Sequence, residues 1–83
     1  MRKDQAASAV KSTLGKRVRH LRRAHALTQR ELARRAGLHP TYLAGVERGE
    51  RNPALENLNA IADALGVKLA ELFMFDGVPG PGQ

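Results

Sequence analysis

A chain of 83 residues suffices for one domain, and so short a domain buries a smaller share of its surface than longer ones do, which leaves it marginally stable without a partner. A hydrophobic fraction of 42% with aromatics at only 4% calls for aliphatic side chains meeting between helices and argues against a β-sandwich. The absence of cysteine removes disulfide frameworks, thiolate nucleophiles and Cys-ligated zinc, and a net charge of +6 points away from an acidic or neutral surface.

That charge is placed unevenly. Residues 1–35 hold eleven Lys and Arg against two acids, a balance of +9, whereas residues 36–83 hold three against six, a balance of −3. A polyanion is the natural partner of such asymmetry, because neutralising phosphates releases condensed counterions. RNA or anionic lipid satisfies the same charge term, and a solvated basic face is the plain alternative. No apolar run is long enough for a membrane span or a signal peptide, so a cytoplasmic protein is expected.

Residues 1–12 are polar and without clear periodicity, and are expected to form a flexible tail. Leu14, Val18 and Leu21 then recur at helical spacing with basic residues between them, which predicts a first helix over 13–25, with Val10 able to extend it by a turn. Leu27-Thr28-Gln29-Arg30-Glu31-Leu32 carries full start signals. Thr28 can cap the Glu31 N–H, Glu31 can reach back to the Thr28 N–H, and Leu27 can pack on Leu32. A second helix therefore begins at Gln29, buries Ala33 and Ala36, and ends at Gly37. Pro40 suits the first position of a third helix, running to about Arg48, in which Leu43 and Val46 form the buried stripe and Gly49 marks the stop.

Glu50 to Pro53 is a polar turn. Leu55, Leu58, Ile61, Ala62 and Leu65 give the most regular periodicity in the chain, ending at Gly66, and a short fifth helix over 68–73 buries Leu69, Leu72 and Phe73. Ala54 and Lys68 are poor caps, so packing must hold the last two helices. The Gly- and Pro-rich residues 76–83 are expected to be disordered, leaving 13–75 as the domain.

Two short helices joined by a Gly-containing turn, here over 28–48, form a unit whose second helix can enter the DNA major groove while the first crosses the backbone. Leu27-Thr28-Gln29-x-Glu31-Leu32-Ala33-x-x-Ala36-Gly37-Leu38, followed by Tyr42-Leu43-x-x-Val46-Glu47-Arg48-Gly49, Asn52-Pro53 and Ala62-x-x-Leu65-Gly66-Val67, resembles the Cro/C1-type helix-turn-helix family. The likeness extends over 14–73. Within that family, the segment from Thr41 to Gly49 is also similar to restriction-modification controller proteins.

The resemblance implies an all-α, compact five-helix, lambda-repressor-like domain that binds double-stranded DNA. It implies that Gln29 donates to a phosphate, that Thr41 and Tyr42 approach bases and flanking phosphates, and that Arg48, Arg51 and Asn52 grip the backbone beyond the recognition helix. It also implies a pair, Arg22 with Glu47, tying the first helix to the end of the third. Each has a plainer reading. Gln29 and Arg51 can be solvated surface residues, Tyr42 can pack its ring on the domain, and Asn52 can bond its own turn.

The reading surface departs from the family, since Pro40, Ala44 and Gly45 offer no polar side chain for bidentate pairing with a base. Readout then falls to Thr41, Tyr42, His39 and Arg48, with thymine-methyl contacts and DNA shape. Gly45 costs about 1 kcal/mol against Ala in mid-helix, which fits either close approach to DNA or neutral tolerance. The three histidines lack metal-ligand spacing, and no nucleophile-base-orienter set or phosphate-binding Gly loop is present, so neither metal, cofactor nor enzymatic activity is expected.

The expected function is sequence-specific regulation of transcription by a homodimer on a pseudo-palindromic operator, because one such domain covers few base pairs and family members pair half-sites by two-fold symmetry. Met74 and Phe75 are the expected interface seeds, local packing being their alternative. A second hypothesis is an antitoxin-like or adaptor module whose main partner is another protein.

Overall fold

The computed structural model describes residues 3–74, with side chains from Gln5 onward. They form four α-helices, α1 (Lys3–Ala24), α2 (Gln29–Ala36), α3 (Pro40–Glu47) and α4 (Leu55–Leu65), followed by a 3-10 helix (Leu69–Phe73). The described residues contain no strand. The expected fifth α-helix is thus a tighter 3-10 element, whose i to i+3 bonding suits a single short turn. Phe75 and residues 76–83 lie outside the described residues.

α1 starts ten residues ahead of the expected Thr13, so residues 3–12, read as a polar tail, are helical from Lys3. Two causes operate. Ala6, Ala7 and Ala9 are strong helix formers with no Gly or Pro before Gly15, and the next turn is held by packing. Lys11 and Ser12 lie against Gly49, where a Cβ would stand 2.9 Å from the Ser12 Cα, in a backbone with φ of +78°. One turn on, Gly15 passes over the end of α3, where a Cβ would meet the Val46 carbonyl oxygen at 2.4 Å. Only glycine allows this crossing, which sequence periodicity alone does not reveal.

The remaining elements follow from local chemistry. Thr28 and Glu31 form a capping box at the start of α2, with bonds of 3.0 Å from the Glu31 N–H to the Thr28 hydroxyl and 2.9 Å from the Thr28 N–H to the Glu31 carboxylate. Gly37 closes α2 in the left-handed region, at φ of +70°. α3 begins at Pro40 and ends at Glu47, one residue short of expectation. No side chain caps α4, and Gly66 closes it. At the 3-10 helix the Lys68 N–H donates to the Glu71 carboxylate at 2.6 Å, a bond that partly offsets the poor cap.

Leu14, Val18, Leu32, Ala33, Leu43, Leu58, Ile61, Ala62, Leu65 and Leu72 form one buried core, in which α2 packs on α4 and α3, and α1 packs on α3 and the 3-10 helix. Ala33 is fully buried where a larger side chain would push α2 outward. Arg17 ties α1 to the 3-10 helix by donating Nε–H to the Glu71 carbonyl at 2.9 Å. Full burial of Leu43 contributes about 2 kcal/mol and, with Val46, fixes the tilt of α3 from below.

The link from α1 to α2 contains strain. Ala26 adopts φ of +56°, the only positive φ at a non-glycine among the described residues, so that the Leu27 N–H can reach the Arg22 carbonyl at 3.1 Å. The Cβ penalty in this region outweighs the extra unfolded-state freedom of glycine. Ala26→Gly is therefore expected to stabilise the domain by about 0.5–1 kcal/mol, seen as a melting midpoint raised by a few degrees. An unchanged or lowered midpoint contradicts this reading of the turn.

Candidate nucleic-acid interface

The start of α2, the end of α3 and the last turn of α1 meet at one carboxylate. Glu47 is buried and accepts from Arg22 twice, Nε to Oε2 at 2.6 Å and Nη2 to Oε1 at 3.0 Å. The same guanidinium donates Nη1–H to the Leu27 carbonyl at 2.8 Å. Glu47 Oε1 also accepts from Gln29 Nε2 at 3.0 Å. A planar fork and a carboxylate match geometrically, and further hydrogen bonds satisfy the rest of a charge pair withdrawn from water.

Gln29 is therefore half-buried, with one amide N–H engaged inside the protein. Its second N–H remains, and it sits at the start of α2, where helical N–H groups lack intrahelical partners. Sequence reasoning gave Gln29 the choice between phosphate and water and did not include this tie to Glu47.

At the start of α3, His39 is the N-cap. Its Nδ1 accepts from the Thr41 N–H at 3.1 Å, so that nitrogen is engaged in holding the helix while Nε2 is left to face outward. Thr41 is exposed, and Pro40 and Ala44 are half-buried.

Gly45, read from the sequence as outward-facing, is buried. The cover is Arg51, whose side chain folds back from the loop after α3, so that a Cβ on Gly45 would stand 2.9 Å from Arg51 Cγ. The Arg51 guanidinium lies 5.9 Å from the centre of the Tyr42 ring, within cation–π range. Tyr42 is itself half-buried, and its hydroxyl accepts from Asn57 Nδ2 at 3.1 Å. A ring packed on the domain, stacked arginine and glycine beneath thus make one unit. Asn57 was missed at the sequence level; an Asn on the first turn of a weakly capped helix is the one signal that it carries.

Arg48 and Asn52 are exposed, with Arg48 paired to Glu50 at 3.0 Å. Glu50 is held below its ordinary pKa by the hydrogen bond from Arg48 and then by the Arg48 charge, and Arg48 is raised by the same contact. Both side chains face solvent, so the pair is screened and worth little to stability. Glu31 is likewise lowered, first by the Thr28 N–H and next by the Thr28 hydroxyl. Its contribution is present above the unfolded carboxylate pKa and fades as pH falls through the lower folded value.

The surface running from Gln29 across α3 to Asn52 therefore presents amide, hydroxyl, imidazole and guanidinium groups, most of them donors. Such groups can pair with phosphate oxygens and base edges. Among the described residues no three His, Asp or Glu side chains stand close enough to hold a metal ion. Met74 is exposed, beyond the 3-10 helix, and Phe75 falls outside the described residues.

Removing the buried carboxylate leaves Arg22 without its charge partner, whereas removing the exposed one leaves Arg48 in water. Glu47→Ala is expected to destabilise the fold by about 3 kcal/mol, while Glu50→Ala leaves the melting midpoint nearly unchanged. Chemical denaturation of both variants checks the contrast, and equal midpoints contradict it.

A family model described as helix-turn-helix matches residues 18–72. The control protein C.SmaI of Serratia marcescens is 39% identical over 69 residues, which cover 83% of this chain and 82% of that protein. The immunity repressor of Bacillus phage phi105 is 42% identical over 60 residues; that match spans 72% of this chain but only 42% of the repressor. Among solved structures, the restriction-modification controller protein C.AhdI from Aeromonas hydrophila superposes with a TM-score of 0.78 at 45% identity, over 78% of this chain and 98% of that one. With the family model matched over 18–72 and the relatives covered over most of this chain, the chain belongs to the Cro/C1-type helix-turn-helix family of transcriptional regulators.

Proposed function

We propose that this protein is a sequence-specific, double-stranded DNA-binding regulator that acts as a homodimer on a pseudo-palindromic operator, in the cytoplasm and without catalytic activity. The observation that carries the reading is the exposed row of His39, Thr41, Arg48, Arg51 and Asn52 along and beyond α3, beside a capped α2 start. In this reading the α2 N-terminus and Gln29 take a phosphate, and Arg48, Arg51 and Asn52 hold the backbone beyond α3. Thr41 reads a base through its hydroxyl and methyl, with His39 and Tyr42 beside it.

The homodimer follows from reach. An α3 of eight residues contacts few base pairs, and a two-fold pair doubles the site. Met74, exposed after the 3-10 helix, and Phe75 are proposed to seed the contact. Similarity to a protein described as a restriction-modification controller supports a role in the control of such a system.

If each subunit neutralises about four phosphates, a dimer on a duplex limited to its selected site has a log–log salt slope near roughly −7. A slope near zero, or equal affinity for every duplex in the presence of competitor, overturns operator binding. Gln29 and Thr41 fail differently when changed. Gln29→Ala weakens binding to all single-base operator variants by a similar factor. Thr41→Ala relaxes preference at one position per half-site, by less than the roughly 1–3 kcal/mol of a bidentate contact. Titration against an operator panel at fixed salt distinguishes them, and a parallel loss for Thr41→Ala removes it from the reading surface.

A further inference from the structure

A cationic surface outside the site already described lies on the outer face of α1. Lys16, Arg19, His20 and Arg23 line a shallow groove of about 230 Å³, at the i, i+3, i+4, i+7 spacing of one helix face. All four are exposed, and among the described residues none of these side chains has an ion-pair or hydrogen-bond partner. Four other arginines are engaged, Arg22 with Glu47, Arg17 with the Glu71 carbonyl, Arg48 with Glu50 and Arg51 over Tyr42, while Arg30, Arg34 and Arg35 on α2 are exposed like the α1 set. The nearest acid in sequence, Glu31, is occupied by the Thr28 cap.

The position of this face is set by its neighbours. Gly15 and Arg22 touch the end of α3, and Arg17 touches the 3-10 helix, so they mark opposite flanks of α1. Steps of about 100° per residue then put Arg19 and Arg23 next to the α3 flank, with Lys16 beyond them. The groove ends at Arg23, one residue past Arg22, whose guanidinium holds the Leu27 carbonyl just before the α2 cap.

We propose that this groove is a second phosphate track, which binds the DNA backbone outside the half-site that α3 reads. The proposal rests on the DNA-binding reading above and extends its footprint. From Lys16 to Arg23 the helix rises about 10 Å, close to three base-pair rises of roughly 3.4 Å for a helix lying along the duplex axis. Its lining carries no apolar side chain, whereas the centre of a protein–protein contact is rich in aromatic and aliphatic groups, so phosphate fits better than an acidic protein.

The test compares two duplexes with the same selected site, one ending at the site and one carrying about ten further base pairs on each side. For the wild type the longer duplex gives a salt slope steeper by about 5, from three cations in each of two subunits. Lys16→Gln/Arg19→Gln/Arg23→Gln abolishes that difference without changing the slope on the short duplex. Exchanging Lys for Arg and Arg for Lys at the same positions retains it.

Equal wild-type slopes on both duplexes overturn the proposal, as does a triple variant that keeps the extra slope. So does a variant that behaves as wild type on both duplexes but no longer binds polyglutamate, an outcome that assigns the groove to an acidic protein. A scrambled core of the same length separates the two readings: failure to discriminate it from the selected site refutes operator recognition, whatever the flanks contribute.

Discussion

The bidentate contact between Arg22 and Glu47 is the constraint on which the rest depends. One carboxylate at the end of α3 receives the guanidinium of α1 and the amide of Gln29 at the start of α2, and the guanidinium also holds the Leu27 carbonyl in the turn between those helices. Helices of eight residues, as α2 and α3 are, do not persist alone in water. Their mutual angle needs a fixed point at the end away from the Gly37 turn, and this buried pair supplies it. An unpaired charge at the same place would be costly, which makes the arrangement an all-or-none feature of the fold.

From that node the two glycine contacts follow. α1 can bring Arg22 to Glu47 only by lying directly on the last carbonyls of α3, and a Cβ at Gly15 would strike them. Lys11 and Ser12 continue the same crossing past Gly49. The region after α3 is then left to the surface, where Arg51 turns back over Gly45 and stacks on Tyr42. A recognition helix poor in long polar side chains is in this way bordered by an arginine delivered from the loop.

What the sequence made legible was chiefly local. The Thr28–Glu31 box, the left-handed ends at Gly37 and Gly66 and the stripe from Leu58 to Leu65 depend on neighbours within a turn or two, so spacing alone reveals them. The start of α1 was not legible, because Ala6, Ala7 and Ala9 give helix propensity without amphipathic period, and its reinforcement comes from Gly49, more than thirty residues away. The same distance conceals Gly15. At the candidate site, the exposure of Thr41 and Arg48 could be anticipated from the buried stripe of Leu43 and Val46, whereas Arg51 and Asn52, in the loop beyond the helix, were indicated by the family resemblance. The His39 cap, the Gln29 amide on Glu47 and the Asn57 bond to Tyr42 could not, since each joins a polar residue to a partner that only the folded geometry selects.

In the proposed complex, DNA lies against the start of α2, the exposed side of α3 and the loop that follows. Backbone amide chemical shifts followed during titration with a duplex selected from a random pool test it most directly. The largest changes are expected to cluster at residues 28–30, 39, 41–42 and 48–52, with little change along α4. Changes concentrated on α4 and the 3-10 helix, with the α3 amides unmoved, would contradict it.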